Sequence, residues 1–446
     1  MPCDPRSETT RPDRLAPDNL PRHASAVRAL QVLRGPRIWV FPTIAVGVVA
    51  LALSLLYMGG ILNPQADLED LPIALVSSDE GADVGGGRLE AGADVVEAIT
   101  SAADGSIDWR VMPADEARTA LARDEVFGAL EIPSDFSASL AALAASSDGS
   151  AAPTMTVLTN QAAGSLGSSF ASSAAQAAAH GASAQLGEKL TAQAQAAGGS
   201  SAPTNATRLM LADPVTVTVE PGHALGKHSG AGLSAFYYTL LLVLAGFVGA
   251  TIVHTAVDGA LGYADTEYGP FHRRRDAVAI SRTQTFLVKS AISVVLAVLT
   301  SALIMLATIG LLGMDAGHLP LLFAFSVCAS ASVAVGVHAI NTAFGTAGQL
   351  VSMFVFVVLA LPSSGATVPL QALPDFYRFL ATFEPMRQLS DGVRSILYFD
   401  AQATGALPRA WSMIALGLVL ALVAGLVTAR VYDRRGLRRL GHPAAA

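Results

Sequence analysis

Residues 234–253 read SAFYYTLLLVLAGFVGATIV, twenty positions without a charge. That is the length a helix needs to cross the hydrocarbon core of a bilayer, roughly 20 apolar residues. Five other stretches share the character or come close: residues 38–61 before it, and 286–312, 319–340, 344–361 and 411–431 after it. The whole chain of 446 residues is 52% apolar and 14% charged, with a mean hydropathy of +0.48. Such a composition is too apolar and too poor in charge for a soluble protein of this length.

The charges that do occur are sorted. Arg28, Arg34 and Arg37 precede the first span; Arg273, Arg274, Arg275 and Arg282 lie between the second and third; Arg430, Arg434, Arg435, Arg438 and Arg439 follow the last. Positive segments stay on the cytoplasmic side, so all three clusters agree on one orientation, with both termini cytoplasmic. The turn at 341–349 carries no charge and takes its side from the parity of the others. Residues 63–233, with twenty-one Asp and Glu against seven Lys and Arg, then fall outside the cell. The expected fold is an α-helical polytopic membrane protein of six transmembrane helices (one plus five) with an inserted extracytoplasmic α/β domain. Its parts are a cytoplasmic tail at 1–37 with an amphipathic helix, a first transmembrane helix at 38–61, the domain at 63–233, a five-helix region at 234–431 with short outer-leaflet helices at 373–398, and a basic cytoplasmic tail at 432–446. The first span is too long, and starts too far along the chain, for a cleaved signal peptide. Trp39, Tyr57, Tyr237, Tyr238 and Trp411 lie near span ends, where amphipathic rings favour the interface. Cys3 and Cys328 are too far apart in this plan to be bridged, so the outer domain must fold without disulfides.

Within 63–233, short apolar runs at 73–77, 107–112, 126–132, 154–159 and 215–220 are expected strands. Helical stretches near 92–102, 113–123 and 134–144 separate them. Asp115 and Glu116 suit the positive end of the second helix, and Ser134 is a cap for the third. Residues 160–200 are nearly all Ala, Ser, Gly and Gln; they form either a long, loosely packed helix or helical pair, or a flexible linker. Residues 198–202 look like a turn or linker.

Catalytic and cofactor motifs are missing. Gly226–Lys227 lacks the upstream glycine and the Ser or Thr of a phosphate loop, and neither a zinc helix nor a nucleophile elbow occurs. We therefore expect no enzyme, no cofactor, no catalytic or metal residues and no nucleic-acid partner. His254, Asp258, Asp265, Glu267 and His272 share one segment, but their spacing matches no ligand pattern. Lys289 is expected to snorkel to the interface, and His338 and Asn341 to cap a span end or meet interfacial water. The small residues Ala329, Ser330, Ala331, Ser332, Ala334 and Gly336 permit close helix packing or a dimer seam. After the fifth span, Phe376, Phe379, Leu380 and Phe383 recur at helical spacing. Pro385 opens a second short helix with Met386, Leu389, Val393 and Ile396 on one face. Two helices too short to span either lie on the outer leaflet or pack on the bundle.

In that last outer segment, Ser364–Gly365, Pro369, Leu373–Pro374, Phe376–Tyr377, Pro385 and Arg394 resemble the corresponding loop of type-2 ABC exporter permeases. One span, an outer domain and five spans is similar to the YhgE/Pip (phage-infection-protein) branch. So are residues 73–82, IALVSSDEGA, and 127–136, FGALEIPSDF. Residues 61–64, ILNP, followed by Leu71–Pro72, are similar to a related family that includes a fungal nitrosoguanidine-resistance membrane protein. The outer domain is shorter than in phage-infection proteins. The Arg-Glu-x-Glu-x-Gly-Thr element of type-2 permeases is absent, although residues 280–282 and Lys289 resemble the stretch just C-terminal to that element. The resemblance implies export of an amphipathic or apolar compound (drug, lipid or peptide) by a homodimer or heterodimer embedded in membrane lipid, driven by a separate ATPase subunit. It makes Glu267, Arg273, Arg274, Arg275, Arg282 and Lys289 the coupling or partner contact, and Gly365, Pro369, Pro374, Phe376, Pro385 and Arg394 the outer-leaflet gate. The rival expectation is a membrane-anchored envelope receptor or scaffold whose outer domain binds a partner without transport.

Overall fold

A computed structural model describes residues 36–59, 62–84, 87–145, 152–196, 213–273, 275–360, 364–365 and 367–437. Contacts divide the chain into a unit ending at Leu55 and a second running from Leu56 to Ala446. Helix α1, Pro36–Met58, carries no charge after Arg37; its Ile44, Val48, Leu51 and Leu55 side chains are exposed. The amphipathic helix expected at the N-terminus lies outside the described residues, as do the turn at 198–202 and Cys3.

The second unit holds both an α/β part and a helical bundle. The α/β part runs β1 (Leu71–Ser77), a small β2–β3 hairpin (Ala82–Val84, Gly87–Leu89), α2 (Ala91–Ser101), β4 (Ile107–Val111), α3 (Ala114–Ala122), β5 (Gly128–Ile132), α4 (Phe136–Ala145), β6 (Thr154–Thr159), α5 (Ser165–Ala196) and β7 (Thr216–Pro221). The main sheet has the order β4-β1-β5-β6-β7. β1 is parallel to β4 and β5, β6 is antiparallel to β5, and β7 is parallel to β6. All five expected strands form, within two residues of their expected ends.

β1 sits between two neighbours and under helices on both faces, which is why Leu71–Val76 is an unbroken buried run. Leu75 points to a core made with Val95, Ile99, Phe136, Leu140 and the α5 alanines. Ala74 and Val76 point the other way, to Ala117, Ala120 and Leu121 of α3. The alanine-rich segment is one 32-residue helix, not a linker or a pair. Ala171, Ala175, Ala179, Ala182 and Leu186 form its buried stripe. Ser134 does not cap α4: the helix begins at Phe136, and the Ser134 carbonyl accepts from Glu80 N instead. Asp79 does the capping for two helices at once. It accepts from Gly92 N of α2 at 3.0 Å and from Ser137 N of α4 at 2.9 Å, satisfying donors that helix starts leave open.

The bundle contains α6 (Ser234–Ala260), the hairpin β8–β9 (Thr266–Tyr268, Phe271–Arg273), α7 (Arg282–Met305, continued as π-helix to Leu311), α8 (Leu319–Phe344), α9 (Gly348–Met353, continued as π-helix to Val358), α10 (Asp375–Phe383), α11 (Pro385–Tyr398) and α12 (Ala406–Arg434). Among the described residues four helical runs are long and apolar enough to cross a membrane: Ser234–Ala260, Arg282–Leu311, Leu319–Val358 and Ala406–Arg434. The third is broken at Gly345, whose φ of +61° ends α8 where a residue with a Cβ would be strained. Gly336 then lies against the Phe356 ring twenty residues on, so the chain doubles back there. Among the described residues the expected fifth span at 344–361 forms a 3-10 turn at Gly345–Ala347 and then a helix over Gly348–Val358, shorter than the hydropathy suggested.

α8 is the buried centre of the bundle, packed against α6, α7 and α12. Its small residues Ala329, Ser330, Ala331, Ala334 and Gly336 are buried, so they serve packing within the chain. Gly246 of α6 closes against the Ser330 carbonyl, where a Cβ would come within 2.7 Å; such absence of side chain lets helix backbones approach. α7 and α12 turn Val295, Leu299, Leu303, Val419, Leu420 and Val423 outward. Tyr237 is exposed, but Tyr238 is buried and shares a 2.8 Å hydrogen bond with Ser326, so it is a packing residue.

The two short helices divide the expected roles. α10 exposes Phe376, Phe379 and Phe383, an aromatic face whose Phe379 and Phe383 rings meet edge to face. α11 buries Met386, Leu389, Val393 and Ile396 and is part of the bundle core. Glu384 links them as the cap of α11, accepting from Met386 N at 2.9 Å and Arg387 N at 2.8 Å. Burial pushes its carboxyl up to about 8, against those two donors and Arg387. A carboxyl raised in the folded state favours folding below its unfolded value, and that contribution drains away as pH climbs toward the folded value. Thermal stability in detergent should therefore fall between the ordinary Glu range and about pH 8. E384Q, which keeps an acceptor but no titrating proton, should flatten that slope in a pH series of melting temperatures; an unchanged slope would assign it elsewhere.

Candidate functional site

One face of α7 repeats a small or polar residue every fourth position: Thr285, Lys289, Ser293, Ala297 and Ser301 are all buried, as is Ser290. Positions four apart stack on one side of a helix, so the stripe faces α6 and α8. The helix begins at Arg282, with Ser281 and Gln284 forming a reciprocal capping box. That start places Lys289 two turns inside the helix. It does not snorkel: it is 4% exposed, and its Nζ donates to Asp258 Oδ1 at 2.7 Å and lies 3.0 Å from His254 Nδ1. His254 Nε2 lies 3.2 Å from Asp258 Oδ2. The imidazole that fits both contacts accepts from Lys289 at Nδ1 and donates to Asp258 from Nε2. Three ionisable groups thus close a ring between α6 and α7.

A turn further along, His338 of α8 is buried and pairs through Nε2 with Ser293 Oγ at 2.8 Å. It neither caps the span nor meets its end. His338 Nδ1, Asn341 Oδ1 and Ser290 Oγ have no protein partner among the described residues. Two cavities adjoin the ring. One of about 270 Å³ reaches His254, Lys289, Arg282, Asn341 and Tyr432; another of about 350 Å³ reaches His254, Asp258, Tyr263, Asn341 and Gln349. Ionisable groups inside a helical bundle mark functional positions by default. Here they form a charged, hydrogen-bonded centre beside open volume. Among the described residues no three His, Cys, Asp or Glu side chains converge as metal ligands.

The expected coupling residues separate. Glu267 and Arg273 sit on the β8–β9 hairpin and Arg275 just after it, all exposed; Arg274 lies outside the described residues. Arg282 is occupied: its backbone N donates to Asp433 Oδ1 at 2.9 Å, its Nε to the Leu437 carbonyl at 2.6 Å, and its guanidinium lies over the Tyr432 ring. It ties the start of α7 to the end of α12. Lys289 belongs to the buried ring.

Of the expected gate residues, Gly365, Pro369 and Arg394 line one cavity of about 450 Å³ between the α/β part and the bundle. Pro374 and Pro385 mark the starts of α10 and α11, and Phe376 is on the exposed aromatic face. Arg394 carries the contact between the two parts. Its Nη2 binds both Asp124 oxygens, at 3.0 and 2.9 Å, and its Nε donates to the Ala162 carbonyl at 3.2 Å. Asp124 holds a left-handed backbone, φ +60°. Burial pushes its carboxyl up to about 6, with Arg394 pulling down and Asp391 adding to the rise. Thr404 seals the edge, donating from N to the Arg123 carbonyl and from Oγ1 to Glu125 at 2.5 Å.

Sequence alone brings together neither Lys289 with Asp258 nor Arg394 with Asp124. The first had a signal, the four-residue repeat of α7 and the i,i+4 spacing of His254 and Asp258. The second, across 270 positions, had none.

No solved structure matches the chain. A relative found among curated proteins is "Uncharacterized protein YhgE" of Bacillus subtilis (strain 168), 22% identical over 221 residues, 49% of this chain and 25% of that protein. The match therefore spans about a quarter of the relative's length. A family model described as "Protein of unknown function (DUF3533)" covers residues 43–423. With the greater part of its length under that model, the chain belongs to the DUF3533 family.

Proposed function

We propose that the chain is a multi-pass permease of the type-2 ABC exporter kind in a cell membrane. Its cargo is an amphipathic or apolar compound, and a separate ATPase supplies the energy. Six helices cross the bilayer, both termini are cytoplasmic, residues 63–233 lie outside, and two copies pair. The observation that carries this reading is the buried Lys289–Asp258–His254 ring beside open cavities. An anchor for an external receptor has no use for desolvated charges, which cost several kcal/mol per ion unless paired; a pathway that alternates between states does. The likeness to YhgE is in keeping with it.

The β8–β9 hairpin is the coupling element. It stands between α6 and α7, the two helices that hold the ring, and presents Phe271, 76% exposed, among Glu267, Arg273 and Arg275. An exposed aromatic flanked by charges suits a protein partner. Force applied there reaches α6 and α7 directly, shifting the balance of inward- and outward-open forms.

Two experiments test the reading. Purification from the native host in mild detergent should recover an ATPase subunit, and R273E/R275E should lose it while the permease still folds; recovery undiminished by the charge reversal removes the hairpin from the interface. In a deletion strain scored for drug susceptibility and lipid content, D258N should fail to complement and should destabilise the protein by about 3–5 kcal/mol, the cost of stranding a buried charge. D258N/K289M, with no charge left to strand, should regain stability without regaining export. If the double variant complements, the ring is only a packing device.

A further inference from the structure

The 450 Å³ cavity between the α/β part and the bundle has a wall of arginine that the contact between the two parts does not use up. Arg387, Asp391 and Arg394 occupy positions i, i+4 and i+7 of α11, one helical face. Arg409 enters from the first turn of α12, and Arg110 from β4. Four guanidinium groups therefore meet Asp124, Glu125 and Asp391 around one volume. The pairings are uneven. Arg394 takes Asp124 in a two-oxygen grip, and Arg110 is held by Asp108 at 2.7 Å. Asp391 is shared at longer range, 3.5 Å from Arg387 and 3.7 Å from Arg394. Glu125 is engaged by Thr404. The Arg409 guanidinium has no ion pair among the described residues.

That leaves Arg387 and Arg409 as under-neutralised cations facing the same space. Burial, the like charge of Arg409 and that of Arg394 all pull the Arg387 guanidinium below its ordinary range, with Asp391 opposing. A bound anion relieves this repulsion, and guanidinium is the group that grips phosphate oxygens in pairs. Phe127 and Leu370 supply apolar surface on the same cavity, so its occupant is two-natured. Depth says where it comes from. α12 is 29 residues long, about 43 Å at 1.5 Å per residue, with Arg430 and Arg434 near its far end. Arg409, in its first turn, is then at headgroup level, and the exposed Phe376, Phe379 and Phe383 of α10 suit the same interface.

We propose that this cavity binds the phosphate headgroup of an anionic amphiphile at the outer leaflet, gripped by Arg387 and Arg409 while Arg394 and Asp124 hold the wall in place. The placement in the outer leaflet rests on the orientation proposed above; the binding itself does not. The inference narrows the cargo or regulator of the permease to a phosphate-bearing lipid or lipid-like molecule.

The test uses the purified full-length protein in phosphatidylcholine nanodiscs with increasing phosphatidylglycerol, read as melting temperature and by native mass spectrometry. Phosphatidylglycerol should stabilise the wild type. R387Q/R409Q should weaken the effect about tenfold or more in lipid concentration, the loss of one to two charge-assisted contacts. R430Q/R434Q, at the opposite end of α12, should leave it unchanged. Should the double variant fail to fold in phosphatidylcholine, R409Q alone decides, since that exposed side chain has no partner among the described residues to strand; it must weaken binding measurably. Equal stabilisation by phosphatidylcholine, or an undiminished response in the arginine variants, overturns the site. Inorganic phosphate matching phosphatidylglycerol at millimolar concentration overturns the lipid source and assigns a soluble anion. No transport is read in any arm, so a missing export phenotype and a missing headgroup site are separate failures.

Discussion

An ammonium group desolvated between helices has to find a counter-charge in the protein, because a bilayer offers none. Lys289 meets that requirement through Asp258 and His254, and much of the bundle follows from it. The pair fixes how α7 sits against α6. With Lys289 turned inward, the four-residue repeat carries Thr285, Ser293 and Ser301 inward with it. The opposite face is then free to be leucine and valine, and it is exposed. His338 and Ser293 extend the same polar seam onto α8, whose small residues admit both neighbours closely. Polar inside and apolar outside is thus a single decision, taken on α7 and propagated through contact.

A second constraint joins the α/β part to the helices. Arg394 reaches from α11 to Asp124 and to the Ala162 carbonyl, the first on the α3–β5 loop and the second just before α5. His223, after β7, lies 2.8 Å through Nε2 from the Tyr398 carbonyl, and the Tyr398 hydroxyl in turn accepts from Ala235 N at the start of α6. Three loops of the sheet are therefore hung on one 14-residue helix. α11 thus contacts the sheet loops and, through Tyr398, the first turn of α6, whose other end bears His254 and Asp258.

The sheet was legible because each strand is a short apolar run between turn residues, and β6 and β7 keep a period of two. The ends of α7 were not, because hydropathy locates the apolar stretch and ignores the polar first turn. The Ser281–Gln284 capping box marks the true start, and the four-residue difference takes Lys289 from the interface to the interior. The fourth and fifth spans were separated by the uncharged turn at 341–349, but the break at Gly345 and the short helix beyond it could not be measured from composition. Alanine spacing could not choose between helix and linker for 160–200. The choice is made by tertiary burial of Ala171, Ala175, Ala179 and Ala182 against the sheet, which a single sequence does not contain. Of the arginine cavity only Gly365, Pro369 and Arg394 were grouped in advance, by resemblance; Arg110, Asp124, Arg387 and Arg409 were not, since they come from β4, the α3–β5 loop, α11 and α12.

The sheet order leaves β4 and β7 as its outer strands, and both are furnished against company. β4 carries Asp108 and Arg110, joined to each other on its surface; β7 ends in Glu220 and Pro221. Proline has no N–H to offer an incoming ladder, and fixed charges at a rim must be desolvated before a foreign backbone can zip on. Copies of this domain brought close together would resist polymerising through their backbones, so any contact between them has to be made by side chains.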